Sequence, residues 1–375
     1  MRRNRMNDRR SSLLIIGRSH LSFSLPLGAL LLVILSLSGA AAQTLRVLTH
    51  DSFAISQQVI DTFTRETGIT VEFLPAGDAG ETVNRAILTS GNPIADLLYG
   101  IDNSLLARAR DAGIFEPYHS PLLEQVDPQY LFDPQGLVTP IDVGFVNFNL
   151  DLSYFRERDL PEPGDIAQLT DPSYRGLVVV ENPATSSPGL AFMLATIDRF
   201  GLEGEGDWLD YWAALRDNGL LVTDGWSNAY YTAFSRYGGD RPIVLSYATS
   251  PAAEVIFASE PLEEAPTGNL FCSRCAYRQI EAVGILAGTR QRRAAEAFID
   301  FMLKKDFQED IPLNMFVYPV TLDIPLPEAF TAFAQLPEAE QTAELPSELI
   351  EAQQQRWLEQ WTEVVIQGRE PAEVR

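Results

Sequence analysis

The alternation of strand-like and helix-like periods over residues 45–99 limits what this chain can fold into more than any other feature. Leu45-Arg46-Val47-Leu48-Thr49 reads as a strand, and Val59, Ile60 and Phe63 give a helical stripe that Gly68 ends. A second strand, Ile69-Thr70-Val71-Glu72-Phe73, leads into a helix from Glu81 to Ser90, with Val83, Ala86 and Ile87 inward and Gly91 as its stop. Ala95 to Tyr99 is a third strand. Strand–helix–strand–helix–strand spells βαβ units, and so a parallel sheet covered by helices on both faces. A long alternating stretch, Val138 to Phe148, interrupts the pattern, which restarts with a strand at Leu177–Val180, helices at Gly189–Arg199 and Trp208–Leu215, and a strand at Ile243–Tyr247. A strand at Gln279–Leu286 and a helix from Arg293 to Leu303 follow. A last helix near Ser347 to Ile366 sets Ile350, Trp357, Leu358, Trp361, Val364 and Val365 on one face. Two α/β lobes with no repeat or flexible linker imply a backbone that crosses between them more than once. Sites of such folds lie in the crevice at the carboxyl ends of strands.

Residues 1–18 carry Arg2, Arg3, Arg5, Arg9, Arg10 and Arg18 against Asp8 alone, and the apolar run Leu27 to Leu35 closes on Ser38-Gly39-Ala40-Ala41-Ala42. A basic segment, an apolar core and an A-x-A cleavage site make residues 1–42 a cleaved export signal; the run is shorter than the ~20 residues of a spanning helix. Ser11-Ser12 after Arg9-Arg10 favours Sec over twin-arginine export, and no cysteine near the cleavage site offers a lipid anchor. The expected location is therefore the periplasm, with no membrane insertion after cleavage.

Signal removal takes away six arginines and one aspartate and moves the formal charge from −23 to −28. Such a chain repels phosphate backbones and anionic lipid, which excludes nucleic-acid binding. No G-x-S-x-G, P-loop, G-x-G-x-x-G or H-E-x-x-H occurs, and only His50 and His119 survive cleavage, so the expectation is no catalytic set, no metal centre and no cofactor. Cys272-Ser273-Arg274-Cys275 precedes a strand and follows loop residues Thr267-Gly268-Asn269. A redox-active C-x-x-C opens a helix instead, so a structural disulfide or two plain thiols is the better reading.

The candidate site is a series of strand-end loops of small polar and aromatic residues. In Ala76-Gly77-Asp78-Ala79-Gly80 small residues admit a ligand to the backbone and Asp78 can hold a positive charge. In Asn182 to Gly189, Ser187 before Pro188 reads as an N-cap followed by proline at the first helical position, a terminus with free N–H groups. The others are Gly225-Trp226-Ser227-Asn228-Ala229-Tyr230-Tyr231 and Tyr247-Ala248-Thr249-Ser250-Pro251. Singly, Ser187 and Asp78 read as helix caps and Trp226 and Tyr230 as packing residues. Together they suit a flat cationic ligand bearing a hydroxyl or phosphate: a cation over an aromatic ring contributes ~0.5–2 kcal/mol and a charge-assisted hydrogen bond ~1.5–3 kcal/mol.

At these residues the chain resembles the thiamine-binding periplasmic proteins, the solute receptors of bacterial thiamine ABC importers. The likeness runs through nearly all the mature chain: Thr49-His50-Asp51-Ser52-Phe53, Gly100-Ile101-Asp102-Asn103, Pro140 to Phe145, Thr185 to Leu190, Gly225 to Tyr230, Leu245 to Ala252 and Tyr318-Pro319-Val320. The G-W-S-x-A-Y and S-Y-x-T-S-P-A blocks are specific to that branch. The resemblance implies a pocket formed by Asp78 and Ala79, Ser186 and Ser187, Trp226 and Tyr230, and Tyr247, Ala248, Thr249 and Ser250, with His50 at its edge. Aromatic rings stack on the ligand's rings, and the serine pair and the Tyr247 tetrad meet its hydroxyethyl or phosphate end. His50 and Ala253 stand where the family has tyrosines, which thins the aromatic cage.

The resemblance further implies a type II periplasmic-binding-protein fold of two α/β lobes around a ligand cleft. Lobe 1 takes residues 43–142 and 251–320 and lobe 2 takes 143–250, while 321–375 form a C-terminal helical segment packed on both. The implied protein is a monomeric, non-enzymatic receptor for thiamine, or its mono- and pyrophosphate, with an ABC permease and its ATPase as partners. Two rivals stand beside it. Tyr230-Tyr231 resembles the tyrosine pair of ferric-ion receptors. Thiaminases of the first type share the fold but attack through a cysteine of the first lobe, and this chain has none before Cys272.

Overall fold

The computed structural model describes residues 43–375; the export signal expected at 1–42 lies outside them. Strand β1 (Gln43–Thr49) pairs in parallel with β2 (Ile69–Pro75) and β3 (Leu97–Asp102), with α1 (Gln57–Thr67) and α2 (Ala79–Leu88) as crossovers. Helix α1 buries Val59, Ile60 and Phe63, and Gly68 ends it at φ 73°, a left-handed turn that glycine enters without strain. Helix α3 (Leu106–Asp111), the two-residue β4 (Phe115–Glu116), the long β5 (Val138–Asp151) and α4 (Leu152–Arg158) follow. A second parallel set has β6 (Val178–Glu181) between β7 (Leu221–Thr223) and β8 (Ile243–Tyr247), covered by α5 (Ser187–Phe200) and α6 (Trp208–Asp217).

The two sets belong to one sheet, in the order β2-β1-β3-β10-β5-β8-β6-β7, where β10 is Ala276–Leu286. The expected parallel pairing is found within each set, and antiparallel pairs join the sets: β10 runs antiparallel to β3 and β5, and β5 antiparallel to β8. The cause is the crossing itself. At ~3.3 Å per residue the 14 residues of β5 span about 46 Å, enough to serve both ends of the sheet. Residues 138–146 of β5 pair with β10, and 146–151 with β8 and β9 (Thr267–Leu270). Residues 267–269, read as loop, are thus strand. The alternation read in 138–148 is also corrected: 13 of the 14 positions of β5 are buried, because both faces of the sheet are covered. The expected lobe boundary at 142/143 falls inside this strand, and residues 267–270 remain with its second half.

Phe63, Phe298, Phe301 and Phe307 pack edge-on and tilted beneath the first parallel set, between α1 and the helix Arg292–Met302. Beyond the second set, Trp361 of the C-terminal helix Ser347–Trp361 meets Trp212 of α6 edge to face at 5.5 Å. Among the described residues no helix is long and apolar enough to cross a membrane.

The ladder between β5 and β10 skips Ile141: Asp142 faces Glu281, and the next pair is Pro140 with Ala282. Such a bulge re-aims side chains and leaves one residue unpaired. Fully buried Gln308 makes up the loss, donating to the carbonyls of Ile141 and Met302 at 2.9 Å each and accepting from the N–H groups of Val320 and Thr321 at 3.0 and 3.2 Å. The bulge brings Asp142 and Glu281 together with His50, at the end of β1, and Tyr99 of β3. His50 Nε2 lies 3.6 Å from Glu281 Oε2 and Nδ1 2.9 Å from Ser52 Oγ, while the Tyr99 hydroxyl donates to Asp142 and, at 3.4 Å, to Glu281. Gly100, at φ 95°, leaves the space the imidazole fills, since a Cβ there would stand 2.4 Å from His50 Cδ2. Burial pulls the His50 pKa down, but Glu281 first, then Asp78 and Asp142, push it up further, to about 9.

Two predictions follow from this packing. Gln308→Leu leaves two carbonyls and two N–H groups without partners and is expected to cost ~2–4 kcal/mol in urea unfolding; a loss under ~0.5 kcal/mol would mean water replaces the amide. His50 binds its proton more tightly when folded, so its contribution is full below pH 6.5 and disappears as pH rises through about 9. The stability difference between the native chain and His50→Gln is expected to shrink over that window, and a difference independent of pH would refute the charged state.

Candidate ligand-binding site

A cavity of about 290 Å³ opens where the carboxyl ends of β1 and β8 meet the N-termini of α2 and α5, close to the lower end of the ~300–1,000 Å³ usual for small-molecule sites. Its floor is the cluster just described, with Gln279 and Tyr247 beside it. One wall is aromatic: the short helix α7 (Trp226–Asn228) and the residues after it stack Trp226 on Tyr230 at 5.1 Å and 18°, with Tyr231 and Tyr237 beyond. The opposite wall is apolar, from Phe257, at the end of α8 (Ser250–Ile256), and Met315-Phe316-Val317.

The aromatic wall is held by polar partners. The Trp226 indole N–H donates to Ser246 Oγ at 2.9 Å, and Ser246 Oγ lies 3.0 Å from Ser250 Oγ. Tyr230 and Tyr237 both donate to Glu254 Oε1 at 2.8 Å, and Arg236 holds the other oxygen at 3.3 Å. Burial and then Glu254 push the Tyr230 pKa well above its ordinary value, so its hydroxyl keeps its proton. At the floor Tyr247 donates to Gln279 Oε1 at 3.1 Å, and the Gln279 amide donates to Ser187 Oγ at 2.9 Å. These bonds fix the rotamers of the groups that face the cavity.

Asp78 joins the two ends of the sheet. It is the N-cap of α2, with Oδ1 accepting from the Ala79 N–H at 2.6 Å, and its Oδ2 accepts from the Trp226 N–H at 2.9 Å. Nearby the Glu81 N–H donates to the Thr185 carbonyl at 3.1 Å. Gly225 makes the approach possible, as a Cβ there would stand 2.9 Å from Asp78 Oδ2. Burial pushes the Asp78 pKa up, against the two N–H groups that pull it down. The capping reading of Asp78 is found, and the same carboxylate lines the cavity.

Of the expected site residues, His50, Asp78, Ser187, Trp226, Tyr230, Tyr247, Thr249 and Ser250 line the cavity. Ala79, Ser186 and Ala248 do not; all three are buried behind the lining, where the Ala248 N–H is bonded to Phe145 O at 2.8 Å. The cap of α5 is corrected by one residue: Ser186 is the N-cap, Ser187 is already helical, and neither side chain closes a cap bond. Proline is tolerated at either of the first two helical positions, so its presence did not fix the register. Ala253 lines the cavity, so its small side chain faces the space directly. Cys272 and Cys275 are buried free thiols outside the lining, with the Cys272 N–H donating to Cys275 Sγ at 2.6 Å.

Sequence reasoning missed Asp142, Gln279, Glu281, Glu254 and Tyr237. Gln279-Ile280-Glu281 carried a signal, because two polar residues two apart share one face of an otherwise apolar strand. Asp142 inside Pro140-Ile141-Asp142-Val143 carried another, as a carboxylate in a fully buried strand. Among the described residues no group of three or more His, Cys, Asp and Glu side chains is arranged to hold a metal ion.

Comparison with known proteins adds an independent line. Residues 92–345 match the family described as bacterial extracellular solute-binding protein. The thiamine-binding periplasmic protein of Brucella suis is 29% identical over 86% of this chain and 92% of its own length. That of Escherichia coli is 28% identical over 87% and 94%. The iron uptake protein A1 of Synechocystis is 25% identical over 78% and 80%. A solved structure of a periplasmic thiamin binding protein superposes with a TM-score of 0.75 at 27% identity, covering 87% of this chain and 98% of that one. The two parallel sets around the cavity are the two lobes of the periplasmic-binding-protein fold, and the chain belongs to the bacterial extracellular solute-binding protein family.

Proposed function

We propose that this chain is a periplasmic receptor that encloses thiamine between its lobes and delivers it to an ABC importer through the permease and its ATPase. The observation that carries the reading is the combination of the stacked Trp226–Tyr230 wall with an acidic cavity: Asp51, Asp78, Asp142, Glu254 and Glu281 line it, and among the described residues no Lys or Arg does. A flat cation gains from both, at ~0.5–2 kcal/mol for the ring face and more where water is excluded. The relatives named for thiamine point the same way. In this reading residues 43–142 and 251–320 serve as one lobe, apart from the 267–270 strand held by the second half of β5, and 143–250 as the other, moving about the long central strands. In this reading, too, the protein acts as a monomer and transforms nothing, which the relatives named as binding proteins support.

Iron is the competing cargo, favoured by the adjacent tyrosines and by the iron uptake relatives. Against it, the Tyr230 hydroxyl is committed to Glu254, which stabilises the phenol over the phenolate that ferric iron prefers.

Calorimetric titration of ligand-free protein is expected to give one-to-one binding of thiamine and no visible charge-transfer band with ferric iron; the reverse pattern would assign the cavity to iron. Trp226→Ala is expected to weaken thiamine at least 100-fold, with a circular dichroism spectrum like that of the native chain. Asp78→Asn is expected to weaken thiamine and an uncharged aminopyrimidine alike, because it disturbs the bond between the lobes. A loss confined to thiamine would assign Asp78 to the ligand's charge instead.

A further inference from the structure

The floor of the cavity has more hydrogen-bonding capacity than the protein uses. Asp142 is fully buried and lines the cavity; its Oδ2 accepts from Tyr99, while its Oδ1 has no partner. Glu281 Oε1 has only the Gln279 amide, at a long 3.5 Å, and Oε2 only the Tyr99 hydroxyl at 3.4 Å and His50 at 3.6 Å. His50 Nε2, in a side chain 5% exposed, likewise makes no hydrogen bond. A buried polar atom left unpaired is costly, and native structures leave few without a reason. Here two such atoms, on Asp142 and His50, converge with the weakly held Glu281 carboxylate on one end of the cavity.

Their chemistry specifies what fits. Two carboxyls offer acceptors for N–H groups, and an imidazole N–H faces the same space. Burial, and then the charge of Glu281, hold the Asp142 carboxyl above the usual range, so this pair also keeps a proton available. One edge of an amino-substituted pyrimidine carries the complement, an exocyclic amine that donates beside a ring nitrogen that accepts. Elsewhere in the lining, Asp78 and Glu254 already accept from donors of the protein, and Trp226, Tyr230, Phe257 and Phe316 offer ring faces.

We infer that the floor of the cavity is the subsite for the aminopyrimidine of the ligand, with Glu281 accepting the exocyclic amine and Asp142 and His50 facing the adjoining ring nitrogen. The inference rests on the thiamine reading and deepens it by fixing the ligand's direction. The amine end enters first, the cationic ring lies against Trp226 and Tyr230, and the hydroxyethyl arm points outward. Glu281 and Asp142 become specificity-determining residues, which the loops identified from sequence do not include.

The test titrates native protein, Glu281→Gln and Asp142→Asn with thiamine and with its analogue in which hydrogen replaces the pyrimidine amine. The native protein is expected to prefer thiamine by at least 30-fold, because the analogue leaves the buried carboxylate unpaired. Glu281→Gln is expected to lose at least 10-fold for thiamine and little for the analogue, so that the preference falls below about 3-fold. Asp142→Asn tests the same point deeper in the floor. Circular dichroism and the melting temperature show whether it folds, and if it does not, Glu281→Gln alone decides. Native protein that binds both ligands within 3-fold, or a Glu281→Gln variant that loses both equally, overturns this inference while leaving the thiamine reading intact. Native protein that binds neither overturns the thiamine reading itself.

Discussion

The antiparallel pairing of β5 with β10 is the constraint on which the rest of the molecule depends. A parallel βα set closes on itself, and two of them joined by a loop would move independently. Here a 14-residue strand runs out of one set into the other, and an 11-residue strand lies beside its first half, so the lobes share hydrogen-bonded backbone. The same pairing builds the floor of the cavity. Its bulge at Ile141 turns Asp142 toward Glu281 in the gap between lobes, where an unbroken ladder would continue the alternation past it. Gln308 repairs the backbone that the bulge leaves unpaired, and so supports the floor without facing it.

Charge follows the same division of labour. Residues 43–375 carry a formal charge of −28, yet exposed charges are screened beyond ~10 Å, and the surface alone says little about the ligand. The carboxylates that matter are those that burial has removed from water. Each would prefer to be neutral or paired. His50 supplies one compensating charge, held on the imidazole by Glu281. Arg236 reaches Glu254 from behind the lining, and among the described residues no Lys or Arg lines the cavity itself. In the proposed function a cationic ligand completes the balance.

Much of this was legible in the sequence, for reasons that differ by element. The βα units were readable because their apolar stripes are local, as with Val59, Ile60 and Phe63 ahead of Gly68. The loops carrying Asp78, Trp226 and Tyr247 stood out because strand-end segments of small and aromatic residues seldom serve packing alone. The antiparallel centre was not readable. Pairing of β10 with β5 joins residues more than 130 positions apart, and burial on both faces erases the alternation that would have set a register. Glu281 was overlooked for the same reason, since its partner Asp142 is a neighbour only through that pairing. The one-residue error at Ser186 was local: two adjacent serines ahead of a proline satisfy the same capping preference.

The two ends of the site are joined through Asp78 and Trp226, and that junction connects recognition to closure. Asp78 grips the backbone N–H of the residue whose ring forms the stacking wall. A ligand lying on Trp226 therefore presses on the segment that carries the interlobe bond. A ligand shifts a conformational equilibrium only by its differential affinity for the two states. In the proposed cycle the lobes part to admit the ligand, which separates the wall on one lobe from the floor that β5 and β10 build, so stacking and amine recognition are satisfied together only on closure. The affinity gained by meeting both at once is what the ligand contributes to closure. A molecule with only the flat ring or only the amine would occupy the cavity without holding the lobes shut.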